Sequence, residues 1–387
     1  PGLIHVGELI RVGDVWKMTS LPVPLEGNAI QLAPGLVLSE PLAGGVGPAP
    51  VATDSSPKMQ ELIERLRKLM ESPPAATAGR PVVEKYQKEL EGVLGDLIDE
   101  SKTDEERMQW RRQLIDAIAG AVQSGFDPSG IARLKKIKSG ISKEEPKSPL
   151  LAMIDIRLLN AQYFVDIQAE KDNDERAKIH ERWMGDIEDF LEANPKAEDA
   201  PEAAWQFASN VEFAGKLEKA GKWYERIVEN YEDTPAAVRA RGALKRLDLV
   251  GKTLVLTGTS LSGSTVDVKQ FRGKILCVYF WDTSSKPAVE DLPLLKGLYD
   301  AHRAQGFEIV GVNLDPVKAA VAPVLTQHGV KWPQIHEPGG PESALAKEFG
   351  INSLPTMFIV DADGKVLNRG ASIADLKTTL AEKLAKK

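Results

Sequence analysis

The segment ILCVYFW, residues 275–281, constrains the fold of this chain more than any other segment. A run of apolar residues this short cannot cross a bilayer, which needs about 20 residues in a helix. Its β-branched and aromatic residues instead favour a strand. The strands and helices that alternate after it point to a sheet with helices on both faces. The sequence therefore predicts an α/β domain built around residues 275–281.

The segments that follow this strand extend the same pattern, because predicted strands alternate with predicted helices to the end of the chain. Further strands are predicted for FEIVGVNLD, TMFIVD and VLNRG. The spacing of apolar residues predicts helices over about 288–304, 316–328, 341–349 and 373–386. Gly-rich turns and β-branched residues begin near DLVGKTLVLTG, so we place the domain at residues 250–387.

Residues 55–249 carry a different pattern, in which apolar residues recur three and four positions apart, as in amphipathic helices. Ser56 followed by Pro57 is typical of a helix start, and Thr103 with Glu106 has the signature of a capping box. These apolar stripes are the expected core of a helical domain, and we assign them no cofactor.

Residues 201–248 resemble a tetratricopeptide repeat, a unit of two antiparallel helices. Small and aromatic residues fall at the spacing of that motif: Ala204, Phe207, Ala208, Val211, Ala220, Tyr224 and Ile227. Glu232 stands where the motif usually has proline, and only about one and a half repeats are legible, fewer than a stable solenoid needs. The resemblance implies helical hairpins, and a plain helical spacer is an equally good interpretation of the same residues.

Residues 1–54 are rich in Pro and Gly and poor in charge. ELIRVGDVWKMTS predicts two short strands around a Gly13–Asp14 turn, followed by extended chain and a linker. The chain begins PGLIHV, without Met and without the basic and apolar regions of a signal peptide. Such a start fits a removed signal peptide, a missing upstream domain or a truncation equally well.

Charge and composition argue against several classes of function. The net charge is −7 and no basic patch is present in the sequence, so nucleic acid is not an expected partner. No cluster of His, Cys, Asp and Glu in the sequence has the spacing of metal ligands, and we predict neither a metal nor a cofactor. The single cysteine, Cys277, cannot form an intramolecular disulfide.

Four motifs in the last third of the chain resemble the TlpA-type redoxins, which include envelope thiol–disulfide oxidoreductases and relatives of alkyl hydroperoxide reductase. They are FRGKILCVYFW, WDTSSKPAVEDLP, GFEIVGVNLD and FGINSLPTMFIVDADGKVL, in the order of that family. In the family these motifs give the central strand, the active-site loop and its helix, a strand with its aspartate, and a cis-proline strand with a hairpin. The resemblance implies a thioredoxin-like fold and a place in the bacterial periplasm or cell envelope.

The same resemblance indicates what the active-site loop lacks. Ser285 stands at the position of the attacking cysteine and Ala288 at that of the resolving cysteine, so the CxxC motif is degenerate. Exchange needs one thiolate to attack the substrate disulfide and a second thiol to release the mixed disulfide. A serine hydroxyl is not appreciably ionised near neutral pH, and alanine has no reactive group. Two-cysteine exchange by this loop is therefore excluded.

Two catalytic alternatives remain open in the sequence. Cys277 could supply a thiol, but a cysteine inside a buried strand is more often inert packing. Ser285 could act as a hydrolytic nucleophile, which requires a histidine base within reach. His336, on a predicted loop, is the least implausible base, although no recognisable pairing supports it. Tyr279 occupies the position at which thioredoxins bury an acid that handles protons during exchange.

The resemblance implies a binding cleft even without sulfur. Its residues are Trp281, Ser284, Ser285, Lys286, Leu354 and Pro355. The Leu354–Pro355 bond matches the cis-proline of the family, where backbone groups pair with an extended substrate strand. The Thr283–Lys286 stretch opens a helix, and such helix starts attract anions or carbonyl oxygens. The simpler interpretation is that Ser284 or Ser285 caps the helix and that Lys286 is solvated.

The sequence thus predicts an N-terminal β segment, a helical domain and a C-terminal thioredoxin-like domain. The main hypothesis is a redox-inactive module that binds a protein or an extended peptide in the cell envelope, with the helices as scaffold or partner surface. One alternative is a thiol–disulfide oxidoreductase or peroxidase of the TlpA or AhpC/TSA type that works through Cys277 or a cysteine of a partner. The other alternative is a purely structural envelope protein.

Overall fold

The computed structural model describes residues 56–74, 78–125, 127 and 129–384, together with four short strands near the start of the chain. These strands are β1 (Leu3–His5), β2 (Leu9–Val12), β3 (Val15–Met18) and β4 (Val23–Leu25). β2 and β3 pair antiparallel with Val12 opposite Val15, as the predicted hairpin requires, and β1 pairs with β4. The predicted turn at Gly13–Asp14 and the linker predicted between the strands and residue 55 lie outside the described residues.

Contacts between residues divide the chain into two compact units, Pro1–Ala203 and Ala204–Lys387. This division falls within a helix and groups the stretch 204–249 with the C-terminal sheet. The domain boundaries predicted near residues 54 and 249 follow the composition of the sequence instead, and they remain predictions.

The described part of the first unit contains six consecutive helices. They are α1 (Pro57–Glu71), α2 (Arg80–Glu100), α3 (Asp104–Gln123), α4 (Gly130–Glu144), α5 (Leu150–Ala169) and α6 (Asn173–Ala193). Ser56 Oγ accepts the Met59 N–H at 3.1 Å, and Thr103 Oγ1 accepts the Glu106 N–H at 3.1 Å, so both predicted helix starts are capped. Apolar side chains pack between α1, α2 and α3, and again between α3, α4 and α5.

Three further helices follow, and they end where the sheet domain begins. They are α7 (Ala200–Phe213), α8 (Leu217–Asn230) and α9 (Pro235–Leu247). All residues that match the tetratricopeptide spacing are buried. Glu212 ties these helices together, because it accepts the Tyr224 hydroxyl at 2.9 Å and the Nη2 group of Arg246 at 2.9 Å. The predicted helices are present, and their assignment as a tetratricopeptide repeat stays a prediction.

The strands of the second unit form a hairpin and a larger sheet. They are β5 (Thr257–Thr259), β6 (Thr265–Asp267), β7 (Ile275–Trp281), β8 (Phe307–Asn313), β9 (Gln334–His336), β10 (Thr356–Val360) and β11 (Val366–Asn368). β5 pairs with β6, and the other strands form a mixed sheet in the order β11-β10-β7-β8-β9. The segment that opened the sequence analysis is thus the central strand, parallel to β8 and antiparallel to β10.

Helices cover this sheet as in a thioredoxin-like fold. They are α10 (Lys286–His302), α11 (Val321–Gln327), α12 (Ala344–Glu348) and α13 (Ile373–Leu384). α11 begins later than predicted, because residues 318–320 form a 3-10 turn. The predicted loop position of His336 is wrong, because this residue ends the short strand β9.

Alternation of side chains along β7 divides the core between the two faces of the sheet. Cys277, Tyr279 and Trp281 lie in the core that α10 and α13 cover. Val278 and Phe280 lie in the core on the opposite face, with residues of α12 and of β6. Both faces of β7 are buried, in agreement with the predicted sheet that helices cover on both sides.

Helix α9 packs closely against α12, because Gly242 has no side chain at the contact. A Cβ atom on Gly242 would lie 1.9 Å from the carbonyl oxygen of Lys347. Arg246 is buried beside this contact, and its Nε donates to the carbonyl oxygen of Phe349 at 3.0 Å. The helical part of this unit therefore fixes the start of the segment 349–355, which forms one wall of the predicted cleft.

Candidate functional site

The loop Asp282–Ser285 joins the central strand β7 to helix α10, where the sequence predicts the active-site loop. Asp282 Oδ1 accepts the backbone N–H of Ser285 at 2.7 Å and the hydroxyl of Ser284 at 2.9 Å. Ser285 is the N-cap residue of α10, but its side chain makes no capping hydrogen bond. The predicted capping by Ser284 or Ser285 is therefore wrong, because the Asp282 carboxylate accepts the hydrogen bonds of this turn.

Ser285 instead reaches across to the cis-proline segment. Its Oγ donates to the carbonyl oxygen of Leu354 at 3.1 Å, which joins residues 69 positions apart in the chain. The peptide bond between Leu354 and Pro355 is cis. Ser285 is only 7% exposed, so its hydroxyl is held against the Leu354 carbonyl group rather than free in solvent.

Ser284 and Lys286 lie on the open side of the same turn, and both are exposed. The Lys286 ammonium group lies 3.7 Å from the Glu290 carboxylate, one turn further along α10. An ion pair this exposed contributes little, about 0–1 kcal/mol. Lys286 can therefore turn towards another acceptor at small cost.

Ala288, which we predicted at the position of the resolving cysteine, is buried beside a polar pair on the α10 face of the sheet. The Tyr279 hydroxyl contacts the Ala288 carbonyl oxygen at 3.0 Å and Oδ2 of Asp291 at 3.1 Å. Burial raises the pKa of Asp291, although the hydrogen bond from Tyr279 opposes this shift. Burial and the charge of Asp291 both raise the pKa of Tyr279, so the tyrosine stays protonated and acts as a donor.

Trp281, predicted as a cleft residue, lies beneath the loop and is fully buried. Its Nε1 donates to Oε1 of Gln334 on β9 at 3.0 Å. Gly311 makes room for this pair, because a Cβ atom there would lie 2.0 Å from the same oxygen. Gln334 Nε2 is buried without a hydrogen-bond partner among the described residues. Trp281 thus supports the cleft from below.

Asp315, just after β8, holds the active-site loop in place. Its carboxylate accepts the Thr283 N–H at 3.0 Å, the Thr283 hydroxyl at 2.5 Å and the Asn313 amide at 2.6 Å. Asp315 is buried, and its backbone carbonyl oxygen lies 3.0 Å from Nε2 of His336. This carboxylate is stabilised by several donors, so it fixes Thr283 two residues before Ser285.

Cys277 lies in the centre of β7, opposite Ile309 on β8 and Ile359 on β10. It is 0% exposed. Burial raises the pKa of its thiol, and the negative charge of Asp291 raises it further. The thiolate is the reactive form of cysteine, so Cys277 is an unreactive thiol in this conformation.

The other chemistries considered from the sequence have no geometry to support them in the described part of the chain. The Ser285 hydroxyl donates to Leu354, and His336 contacts Asp315 instead. Among the described residues, no group of three His, Cys, Asp or Glu side chains could hold a metal ion. None of the helices that the structure describes has the length and apolar character to cross a membrane.

Sequence reasoning missed Asn313 and Gln334, and it assigned no supporting role to Asp315 or His336. A signal for this role exists, because Asn313 ends β8, Asp315 follows it, and Gln334 and His336 lie on β9, the neighbour of β8. Trp281, Asn313 and His336 are register partners on three adjacent strands. Polar side chains at the carboxyl ends of parallel strands meet at one edge of a sheet, where α/β proteins bind their ligands.

Residues 251–369 match the sequence profile of the AhpC/TSA family. The match covers less than a third of the chain and lies within the thioredoxin-like part. These residues therefore form a redoxin domain of the AhpC/TSA type, as the four motifs predicted.

The same region is similar to named thiol–disulfide oxidoreductases. Thiol-disulfide oxidoreductase ResA of Bacillus thuringiensis subsp. konkukian is 34% identical over 109 residues, which is 28% of this chain and 61% of that protein. ResA of Bacillus subtilis is 27% identical over 106 residues, which is 27% of this chain and 58% of that protein. The chain thus spans about three fifths of the length of these relatives.

Two solved structures are similar to the same region. The thioredoxin domain of a thiol-disulfide oxidoreductase from Bacteroides vulgatus is 24% identical and covers 35% of this chain and 97% of that chain, with a TM-score of 0.32. A thiol:disulfide interchange protein DsbE from Chlorobium tepidum is 22% identical and covers 36% of this chain and 96% of that chain, with a TM-score of 0.31.

The sequence comparison favours the oxidoreductase alternative over the redox-inactive hypothesis, since the relatives are thiol–disulfide oxidoreductases by name. The sequence comparison rests on about 110 aligned residues, whereas thiol–disulfide exchange depends on the attacking and the resolving cysteine alone. The local chemistry at Ser285, Ala288 and Cys277 therefore decides between the two functions.

Proposed function

We propose that the redoxin-type domain at residues 251–369 binds extended polypeptide in its cleft without exchanging thiols with it. The cleft lies between the Ser284–Lys286 turn and the Leu354–Pro355 segment. The observation that carries this proposal is the hydrogen bond from Ser285 Oγ to the Leu354 carbonyl oxygen at 3.1 Å. It joins the two walls of the cleft through a hydroxyl, which cannot form a disulfide with a substrate.

The chemistry of the cleft suits a peptide. Leu354 is half-buried, so part of its side chain can contact an apolar side chain of a ligand. Lys286 and the Ser284 hydroxyl offer donors to carbonyl or carboxylate oxygens at the start of α10. The Asp315 carboxylate already holds Thr283, so the loop needs no ligand to order it.

Site-specific photocrosslinking to a thiol-free polypeptide tests this proposal. A benzoylphenylalanine replaces Ser284 in the loop before α10 or, as the control, Gly297 within α10; both positions are exposed. The probe is labelled insulin B chain whose cysteines are carboxymethylated, so a disulfide cannot form. We expect a light-dependent adduct at position 284 that excess unlabelled probe displaces, and little adduct at 297. Equal adducts at both positions, or none at 284, would refute binding in the cleft.

The second candidate function is thiol–disulfide exchange through Cys277 or a cysteine of a partner, which the similarity to ResA favours. Cys277 lies in the central strand of the sheet, so its reaction would require β7 to open. Reduction of insulin by dithiothreitol measures this directly. Acceleration by the wild type that Cys277→Ala abolishes would establish catalysis by this thiol, whereas no acceleration by the wild type would argue against it.

The cell envelope is the place that we propose for this protein, because the four redoxin motifs resemble those of TlpA-type envelope proteins. The helices before the redoxin domain would then serve as scaffold or partner surface. Fractionation of cells that produce the native protein tests the location. Recovery with cytoplasmic markers alone would contradict it.

A further inference from the structure

A groove of about 500 Å³ lies in the first unit, between helices α4, α5 and α6. Leu158, Leu159 and Tyr163 of α5 line it, and Trp183 and Phe190 of α6 also contribute to its lining. The groove lies outside the redoxin domain, so an inference about it does not depend on the function proposed for the cleft.

Helix α5 has the sequence of a helix that is enclosed on all sides. Apolar residues lie around the whole circumference of this helix, whose sequence is LLAMIDIRLLNAQYFVDIQA. Leu150, Met153 and Ile154 are buried against the neighbouring helices. Leu158 and Leu159, which line the groove, are only half-buried. The face of α5 along the groove is therefore apolar but incompletely covered by this chain.

The charges along the groove are predominantly acidic. Four aspartates line it together with two cations: Asp155, Asp166, Asp186 and Asp189 with Lys135 and Arg182. Asp155 pairs with Lys138, and Asp166 pairs with Arg182 at 2.9 Å. Asp186 and Asp189 have no ion-pair partner among the described residues. They lie three positions apart on α6, so their carboxylates can meet two cations on one side of a ligand.

We propose that this groove binds a basic amphipathic helix of a partner protein. The apolar stripe of that helix would cover Leu158 and Leu159, and lysine or arginine side chains beside the stripe would pair with Asp186 and Asp189. A helix fits because α4 and α6 flank α5 and leave a channel along it, as in grooves that receive an amphipathic helix. Basic flanks fit because the groove carries more carboxylates than cations.

Fluorescence anisotropy of synthetic helices binding to the full chain tests this inference. The first probe carries leucines at helical spacing along one face, flanked on both sides by lysines. The second probe replaces every lysine with glutamate. The third keeps the composition of the first but scrambles the spacing, so that no apolar stripe forms.

The test variant is Asp186→Lys with Asp189→Lys, which reverses the charge at two exposed positions. The matched control is Asp174→Lys with Glu181→Lys, which changes the net charge by the same amount at two exposed positions of α6 that do not line the groove. Circular dichroism of both variants verifies that the helices remain folded.

We expect the wild type to bind the lysine probe saturably and at least about tenfold more tightly than either other probe. Asp186→Lys with Asp189→Lys should reverse the preference in favour of the glutamate probe, and the control variant should retain the wild-type preference. Equal weakening by the two variants would indicate non-specific attraction to an acidic protein and would overturn the inference. Failure of the wild type to bind the lysine probe would also overturn it.

A second copy of the chain is the remaining possible occupant of the groove. Sedimentation of the wild type and of Asp186→Lys with Asp189→Lys distinguishes this case. A dimer of the wild type that the variant loses would assign the groove to self-association and would refute a basic partner helix.

Discussion

Two neighbouring regions of the redoxin domain differ in what they have kept. At the carboxyl ends of the strands, Asp315 accepts hydrogen bonds from Thr283 and Asn313 and fixes the loop in place. At the start of α10, Ser285 and Ala288 stand where the resemblance predicts the two cysteines of the family. If that prediction holds, the loop has kept its supports without its reactive groups. Shape and chemistry at this site depend on different residues and can be separated.

Restoring the sulfur should have the largest effect on this comparison. In Ser285→Cys with Ala288→Cys, the first thiol lies at the N-terminus of α10, where the backbone N–H groups and the helix dipole lower the pKa of a thiol. If the loop has kept its shape, we expect this variant to reduce insulin at least about tenfold faster than the wild type. Turbidity in the presence of dithiothreitol measures the rate.

The single variant Ser285→Cys is the control for this restoration. It should form mixed disulfides with a substrate without turning over, because no second thiol releases them. A double variant that folds but reduces insulin no faster than the wild type would mean that the loop has lost the shape of the family along with its cysteines.

Removing the support should have the next largest effect. Asp315→Asn replaces one acceptor oxygen with an amide that faces donors, so at least one buried donor loses its partner. We expect the free energy of unfolding to fall by about 1–3 kcal/mol, measured in urea, and crosslinking at position 284 to weaken. Asp363→Asn, at an exposed turn, is the matched control and should change neither. Unchanged stability in Asp315→Asn would show that the hydrogen bonds around Asp315 do not support the loop.

A variant of Cys277 tests whether the only thiol of the chain contributes to binding in the cleft. Cys277 has the sulfur that the loop lacks, but it is buried in the core. Cys277→Ala removes one fully buried atom from the core, and we expect a loss of about 1–2 kcal/mol in the free energy of unfolding. Crosslinking of the carboxymethylated probe at position 284 should not change. Weaker crosslinking without loss of fold would tie this residue to the cleft and contradict the separation.

The smallest expected effect is a change in how the unfolding free energy depends on pH, and it arises from Asp291. Burial raises its pKa above the ordinary value of 3.8, so the folded protein binds this proton more tightly than the unfolded chain does. Its contribution to stability is therefore complete at lower pH and is lost as the pH rises from about 4 through the raised pKa. Asp291→Asn keeps an acceptor for Tyr279 but has no carboxyl group to titrate. Over this pH range, the unfolding free energy of the variant should therefore rise relative to that of the wild type. Parallel profiles of the two proteins would contradict the raised pKa.

The sequence was informative about elements and less so about contacts between them. The apolar run at 275–281 predicted the central strand with its observed bounds, because polar or glycine residues mark both ends of the run. Strand β9 escaped prediction, since Gln334–His336 is short and holds a single apolar residue. Its position is set by pairing with β8, which the local sequence does not encode.

The site was predictable only where a motif marked it. Ser285 and Leu354 were expected to share a cleft, and a hydrogen bond joins them. The contact between Asp315 and Thr283 was not predicted, because it joins residues 32 positions apart and depends on two adjacent strands ending together. Trp281 was expected to line the cleft, but the face on which it lies follows from the alternation along β7, which places it with Cys277 in the core.

Titration of the native protein with a disulfide reagent such as DTNB tests most directly the claim that this cleft cannot exchange thiols. The chain has one cysteine, so the colour reports Cys277 alone. The account predicts no modification of the folded protein at neutral pH over the time in which one thiol per chain reacts in denaturant. Rapid reaction of one thiol in the folded state would contradict it.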